Sequence, residues 1–165
     1  MIKAKTLSQG VYWQDLTVGD EFITFGRTIT ETDLMNFITM TGMTEVIFTD
    51  QTHSGVLKGR VVPGALSYTL IEGLIVQGML QATGMALLEL TKKLLAPVRV
   101  GDTIHGHIVI ESIRPTSKRG CAVVNSIVNI INQDGVVVIT YTAKRLLAGD
   151  PGKIAVKERQ EEETV

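Results

Sequence analysis

Residues 63–79 read PGALSYTLIEGLIVQGM. Pro63 suits the first turn of a helix, where its missing amide hydrogen would find no acceptor anyway. From Gly64 to about Met79 the apolar residues Leu66, Leu70, Ile71, Leu74, Ile75, Val76 and Met79 point nearly all round a helical cylinder. A helix with that distribution is buried rather than laid on a surface. What surrounds it must therefore cover it on several sides.

The second half of the chain supplies the cover. Gly84–Leu94 reads as one strand and Thr103–Ile113 as a second. In the second, Ile104, Ile108 and Ile110 face one way and His105, His107, Val109 and Glu111 the other. Cys121–Ile131 is a third strand, in which Val123, Ile127 and Ile131 are read as alternating with polar Asn125 and Asn129. Asn132-Gln133-Asp134-Gly135 is a hairpin signal, and Val136–Leu147 closes the set. Upstream, Glu21–Arg27 reads as a first strand. Thr30 to Asp33 forms a capping box for a short helix with Leu34, Phe37, Ile38 and Thr41 on one face, and Gly42 stops it. Residues 43–62 hold no sustained period, and loops of this length in compact domains are often functional. One buried helix with an antiparallel sheet is an α+β layer arrangement. A single sheet wrapped around one long central helix is the hot-dog fold. The edge strands it leaves predict a homodimer or a multiple of one.

The chain has 165 residues, 44% of them apolar, enough for one cored domain, expected over 1–148. From Gly149 onward apolar periodicity fades into a charged run, so 149–165 is expected to be a flexible tail. A net charge of −1 with scattered Lys and Arg gives nucleic acid no footprint. The apolar stretch Gly64–Met85 is interrupted by Glu72, Gln77 and Gln81, which argues against a membrane span. The N-terminal MIKAKTLSQG lacks the apolar core of a signal peptide, and the one cysteine, Cys121, fits a reducing compartment. A cytoplasmic protein is expected. His105 and His107 supply two ligands where a metal needs three or four, so no metal or cofactor is expected. Arg114, Lys118 and Arg119 read as a solvated basic turn.

Several stretches together resemble the MaoC-like family, the group of (R)-specific enoyl-CoA hydratases. They are DLTVGDEF (15–22), GRTITETDLMNFITMTG (26–42), GRVVPGALSYTLIEGLI (59–75), and APVRVGDTIHGHIVI (96–110) with NQDGVVVITYTAKRLL (132–147). The resemblance implies the hot-dog fold, an acyl-CoA or other acyl-thioester substrate, and a hydration or dehydration. It implies a catalytic loop of the form GD-x-N-P-x-H, in which the Asp and His hold a water and move a proton. It also implies an amide at the start of the central helix, at Gly64 with Ala65 beside it, that polarises the thioester carbonyl.

Laid on TGMTEVIFTD (41–50), that pattern puts Met43 at the Asp and Phe48 at the His, with Glu45 at the Asn and Val46 at the Pro. Pro63 stands where many relatives carry a His. Met and Phe transfer no protons, so Met43 and Phe48 are substrate-binding candidates with Gly64 and Ala65. Three residues are candidates to replace the lost chemistry. Glu45 lies in the matching loop, against the alternative of a solvated carboxylate. His53 lies where the loop can fold back, against the alternative of an exposed histidine. Glu72 sits within the apolar helix, where some hot-dog thioesterases place a base, against the alternative of a paired structural carboxylate. The functions in view are a hydratase or dehydratase with substituted catalytic residues, a non-catalytic acyl-CoA-binding module or subunit of a hetero-oligomer with an active hydratase, and a thioesterase using Glu72.

Overall fold

The structure is a computed structural model that describes residues 6–57, 59–117 and 120–154. Its elements in chain order are β1 (Glu21–Ile23), β2 (Arg27–Thr28), α1 (Glu31–Thr41), α2 (Val46–Thr49), α3 (Gly64–Ile75), β3 (Gly84–Leu94), β4 (Thr103–Pro115), β5 (Ala122–Ile131) and β6 (Val137–Leu147). The strands form one sheet in the order β1-β4-β5-β6-β3, with β2 also on β4. Every pairing is antiparallel. This is the expected α+β hot-dog arrangement, with α3 as the central helix.

Leu66, Ile71 and Ile75 of α3 are buried in one cluster with Ile104, Ile108 and Ile110 of β4, Val128 and Ile130 of β5, and Ile139 and Tyr141 of β6. The helix lies so close to the sheet that a methyl group at Gly106 would come within 2.7 Å of Ile71 Cγ2. The missing side chain at Gly106 is thus what lets helix and strand meet. Helical geometry outlasts the regular α3: Val76–Leu80 continues as one π turn, ending on buried Leu80. Gly73 and Gly78, both weak helix formers, flank the change.

The expected first strand is broken. Ile23 pairs with His107 and Arg27 with Ile104, so three residues, Thr24 to Gly26, face two on β4. The extra residue makes a bulge. There the Gly106 amide donates to Thr24 Oγ1 at 2.8 Å instead of to a backbone carbonyl. The facing of β5 also differs from expectation. Ala122, Val124, Ser126, Val128 and Ile130 point into the core, and Val123, Asn125, Ile127, Asn129 and Ile131 all share the outer face. Those five have the same parity, so they cannot alternate across a strand of period two. The outer face is nevertheless half-buried, because its polar groups cover one another: Thr140 Oγ1 donates to Asn129 Oδ1 (2.7 Å) and Asn125 Nδ2 to Ser112 Oγ (2.9 Å).

The chain ends of the domain are sewn together. The Gly10 and Val11 amides donate to the carbonyls of Gln81 and Met79, and the Trp13 amide to Ala148. Trp13 Nε1 donates to the Gly120 carbonyl at 2.6 Å, and the Asp150 amide to Gln14 Oε1 at 3.0 Å. Lys153 reaches Asp15 at 2.6 Å. The expected tail therefore begins with residues held against this seam, and its part from 155 to 165 lies outside the described residues, as do Lys118 and Arg119.

Helix α1 begins as expected. The Asp33 amide donates to Thr30 Oγ1 (3.1 Å) and the Thr30 amide to Asp33 Oδ2 (2.8 Å), while Gly42 closes the helix at φ 73°. The Thr30 hydroxyl, and after it the Thr30 amide and Arg27, hold the Asp33 carboxyl below its usual range. A depressed carboxyl stabilises the fold above its unfolded pKa, and that contribution disappears as pH falls through the folded value. Asp33→Ala is expected to cost about 1 kcal/mol at neutral pH. The gap between variant and parent should close in acid, below about pH 4, when urea unfolding is followed across pH.

Candidate functional site

The first turn of α3 leaves two amides free of helical acceptors. Leu66 and Ser67 both donate to the Pro63 carbonyl, at 2.9 and 3.4 Å, so the first unspent donors are those of Gly64 and Ala65. The chain reaches this point through two backbone links: Val61 donates to Ile47 at 3.4 Å and Val62 to Val98 at 2.8 Å. Opposite, α1 ends at Gly42, and residues 43–45 turn into α2. That short helix escaped sequence reading because four residues are too few to show a period and Val46, Ile47 and Thr49 favour strands. Glu45 is its N-cap residue, with no cap hydrogen bond from its side chain.

Met43, Glu45, Phe48, Gly64 and Ala65 line one cleft of about 450 Å³. The structure thus brings together four substrate-binding candidates and one catalytic candidate, and among the described residues Glu45 carries the only carboxylate on that cleft's wall. A second cleft, of about 360 Å³, adjoins it, and Phe48 and Gly64 line both. A methyl group at Gly64 would lie 2.2 Å from Leu94 Cδ2, so Leu94 closes over the helix start only because residue 64 has no side chain.

His53 stands apart. It lines neither cleft. A methyl group at Gly55 would be 2.8 Å from His53 Nε2, which places the ring over its own turn. That turn is fixed by Asp50 Oδ1, which accepts from the Thr52 amide (2.8 Å) and hydroxyl (2.7 Å). The Thr52 hydroxyl, then the amide, holds the Asp50 carboxyl below its usual range.

Glu72 is eight residues along α3 from Gly64, or about 12 Å of helix rise. Its Oε1 accepts from Arg145 Nη2 at 2.5 Å and from Tyr141 Oη at 2.6 Å. Arg145, itself buried, also donates to Ser126 Oγ at 3.0 Å. Tyr68 packs edge-on against Tyr141, with ring centroids 5.1 Å apart, and Lys92 Nζ lies 4.5 Å over the Tyr68 ring. Burial first, and then the negative charge of Glu72, pushes the Tyr141 hydroxyl far above its ordinary range and raises Tyr68 as well. Of the two expectations for Glu72, a base or a paired structural carboxylate, the structure shows the pairing. Its carboxylate is the acceptor of an internal ion pair that offsets the cost of burial, and it lines neither cleft. Sequence reading also missed Ser67, whose Oγ is buried with no hydrogen-bond partner.

No family profile and no curated protein matches the sequence. Solved structures do. The chain is similar to a MaoC-like dehydratase from Rhodospirillum rubrum (23% identity, TM-score 0.73, covering 86% of this chain and 99% of that one). It is similar to the (R)-hydratase PhaJ1 from Pseudomonas aeruginosa (22%, TM-score 0.71, covering 86% and 88%). It also resembles a Mycobacterium tuberculosis protein with a double hotdog fold (16%, TM-score 0.77, covering 86% and 45%). Likeness at these identities establishes the hot-dog fold.

Arg145→Leu is expected to cost about 3–5 kcal/mol, because it strands the Glu72 carboxylate in the interior. The double variant Glu72→Met/Arg145→Leu should recover most of that loss in denaturant unfolding.

Proposed function

We propose that the protein is a MaoC-like acyl-thioester hydratase or dehydratase in which the usual Asp and His are replaced and Glu45 is the remaining proton carrier. The observation that carries this is the shared cleft: the Glu45 carboxylate and the unspent amides of Gly64 and Ala65 line one cavity. The amides sit at the positive end of a helix, suited to the oxygen that gains negative charge when the thioester becomes an enolate. In hydration of a 2-enoyl thioester, Glu45 takes a proton from the water adding to C3 and returns a proton to C2. In dehydration it removes the C2 proton and gives one to the departing hydroxyl. One exposed carboxylate serving both steps makes turnover weak. With crotonyl-CoA as substrate, Glu45→Gln should lower the residual rate by about a hundredfold to ten-thousandfold, with affinity for butyryl-CoA nearly unchanged. Turnover that survives Glu45→Gln rejects the assignment.

A second proposal has its own support. Met43 and Phe48 line the same cleft with groups that carry no proton, which suits a non-catalytic acyl-CoA-binding module or a subunit that pairs with an active hydratase. Tight butyryl-CoA binding with no turnover in the unaltered protein selects it. In either case the setting is cytoplasmic lipid metabolism. Among the described residues no helix is long and apolar enough to cross a membrane.

We also propose that the domain works as a dimer formed along β3. That strand has eleven residues, pairs with β6 on one side and stands at the edge of the sheet. Met85, Leu87, Leu88, Leu90 and Leu94 are exposed along it. A long apolar edge invites a second strand, and antiparallel pairing with its own copy is a closed, two-fold solution. Leu88→Lys should convert the dimer to a monomer in light scattering at micromolar concentration; a parent protein that is already monomeric rejects the proposal.

A further inference from the structure

The second cleft assigns a place to the far part of the acyl group. We infer that an unbranched hydrocarbon chain of more than four carbons runs from Gly64 past Phe48 into the cleft walled by Leu57, Val61 and Leu95, and that this cleft sets acyl-length preference. The inference rests on the acyl-thioester proposal.

Continuity is the first ground. Phe48 and Gly64 belong to both cavities, so a thioester carbonyl at the Gly64 amide has the second cleft as its neighbour. Chemistry is the second. Among the described residues, none that lines the second cleft has a polar side chain. Four of its backbone donors are spent: Val61 on Ile47, Val62 on Val98, and both Leu95 and Ala96 on Val138. Away from Gly64 these walls offer burial and little to hydrogen-bond with, which favours a hydrocarbon and penalises a polar end group. Size is the third. At about 360 Å³ the cleft falls within the range of small-ligand pockets.

The other apolar cavity, lined by Phe22, Leu74 and Met79 among others, lies past the far end of α3. It is separated from Gly64 by the helix, about 16 Å of rise, and by the packed core. The interior beside the middle of α3 is occupied by Glu72, Arg145 and Tyr141. The second cleft is therefore the one that a chain starting at Gly64 enters without displacing the core.

Saturated thioesters cannot react by hydration, so they report binding alone. Titration calorimetry of the full chain with butyryl-, hexanoyl- and octanoyl-CoA should show affinity rising with length, by about fourfold at most for each buried methylene. Leu95 and Leu57 are exposed enough to accept a larger side chain without disturbing the core. Leu95→Trp and Leu57→Trp should each erase the gain from butyryl to octanoyl and leave butyryl-CoA binding unchanged. Octanedioyl-CoA, with a carboxylate at the chain end, should lose the gain in the parent protein. Ile23→Trp, at the far cavity, should change nothing. A length series that is flat, or that is the same in the parent and both cleft variants, overturns this inference while leaving the thioester proposal in place. Failure of every CoA thioester to bind overturns both.

Discussion

A helix enclosed by one sheet can be covered only if the two come into direct contact, and here the contact is Ile71 against the bare backbone of Gly106. The close approach fixes the height of α3 above β4 and, with Leu66 and Ile75 in the same cluster, its rotation. Overpacking such a contact costs about 1–3 kcal/mol, a large share of the stability of a domain this size. The bulge at Thr24–Gly26 sits opposite the same glycine, where Thr24 supplies by its hydroxyl the acceptor that the broken ladder lacks. The sheet is thus interrupted at the point where the helix presses on it.

With α3 set in this way, its N-terminus is set too, and the cleft follows. The amides of Gly64 and Ala65 are rigid because they belong to a buried helix, whereas Glu45 belongs to an exposed turn between α1 and α2. The Gly64 side of the cleft is therefore fixed by the core, and the Glu45 side, at an exposed turn, is not.

Local signals were legible in the sequence and distant ones were not. The Thr30–Asp33 box and the Gly42 stop are interactions among residues a few positions apart, so they could be read directly. Burial of α3 could be read from its apolar girth. The partner of Glu72 could not, because Arg145 comes from the last strand and nothing near Glu72 announces it. The facing of β5 is ambiguous in the sequence because Ile127 is as apolar as a core residue and sits on an outer face that its neighbours half cover. In the site, Met43, Glu45, Phe48 and Gly64 were grouped through resemblance to a family pattern, and the structure places them on one cleft. The second cleft is assembled from α2, the loop before α3 with Gly64, the end of β3 and its sequel, and one residue of β6, so no single stretch of sequence carries its signature.

The seam between the two ends of the domain turns an ordinary side chain into a gauge. Trp13 is the single tryptophan of the chain, and its indole is tied to the Gly120 carbonyl beside Gly149. Its fluorescence therefore reports the closure of the termini, while the far-ultraviolet signal of sheet and helix reports the wrapped core. Because fraying at chain ends is generally easier than global opening, the two optical signals need not change together. A melting curve followed by tryptophan emission alone would describe the stitching of this domain, with the stability of its interior left to another probe.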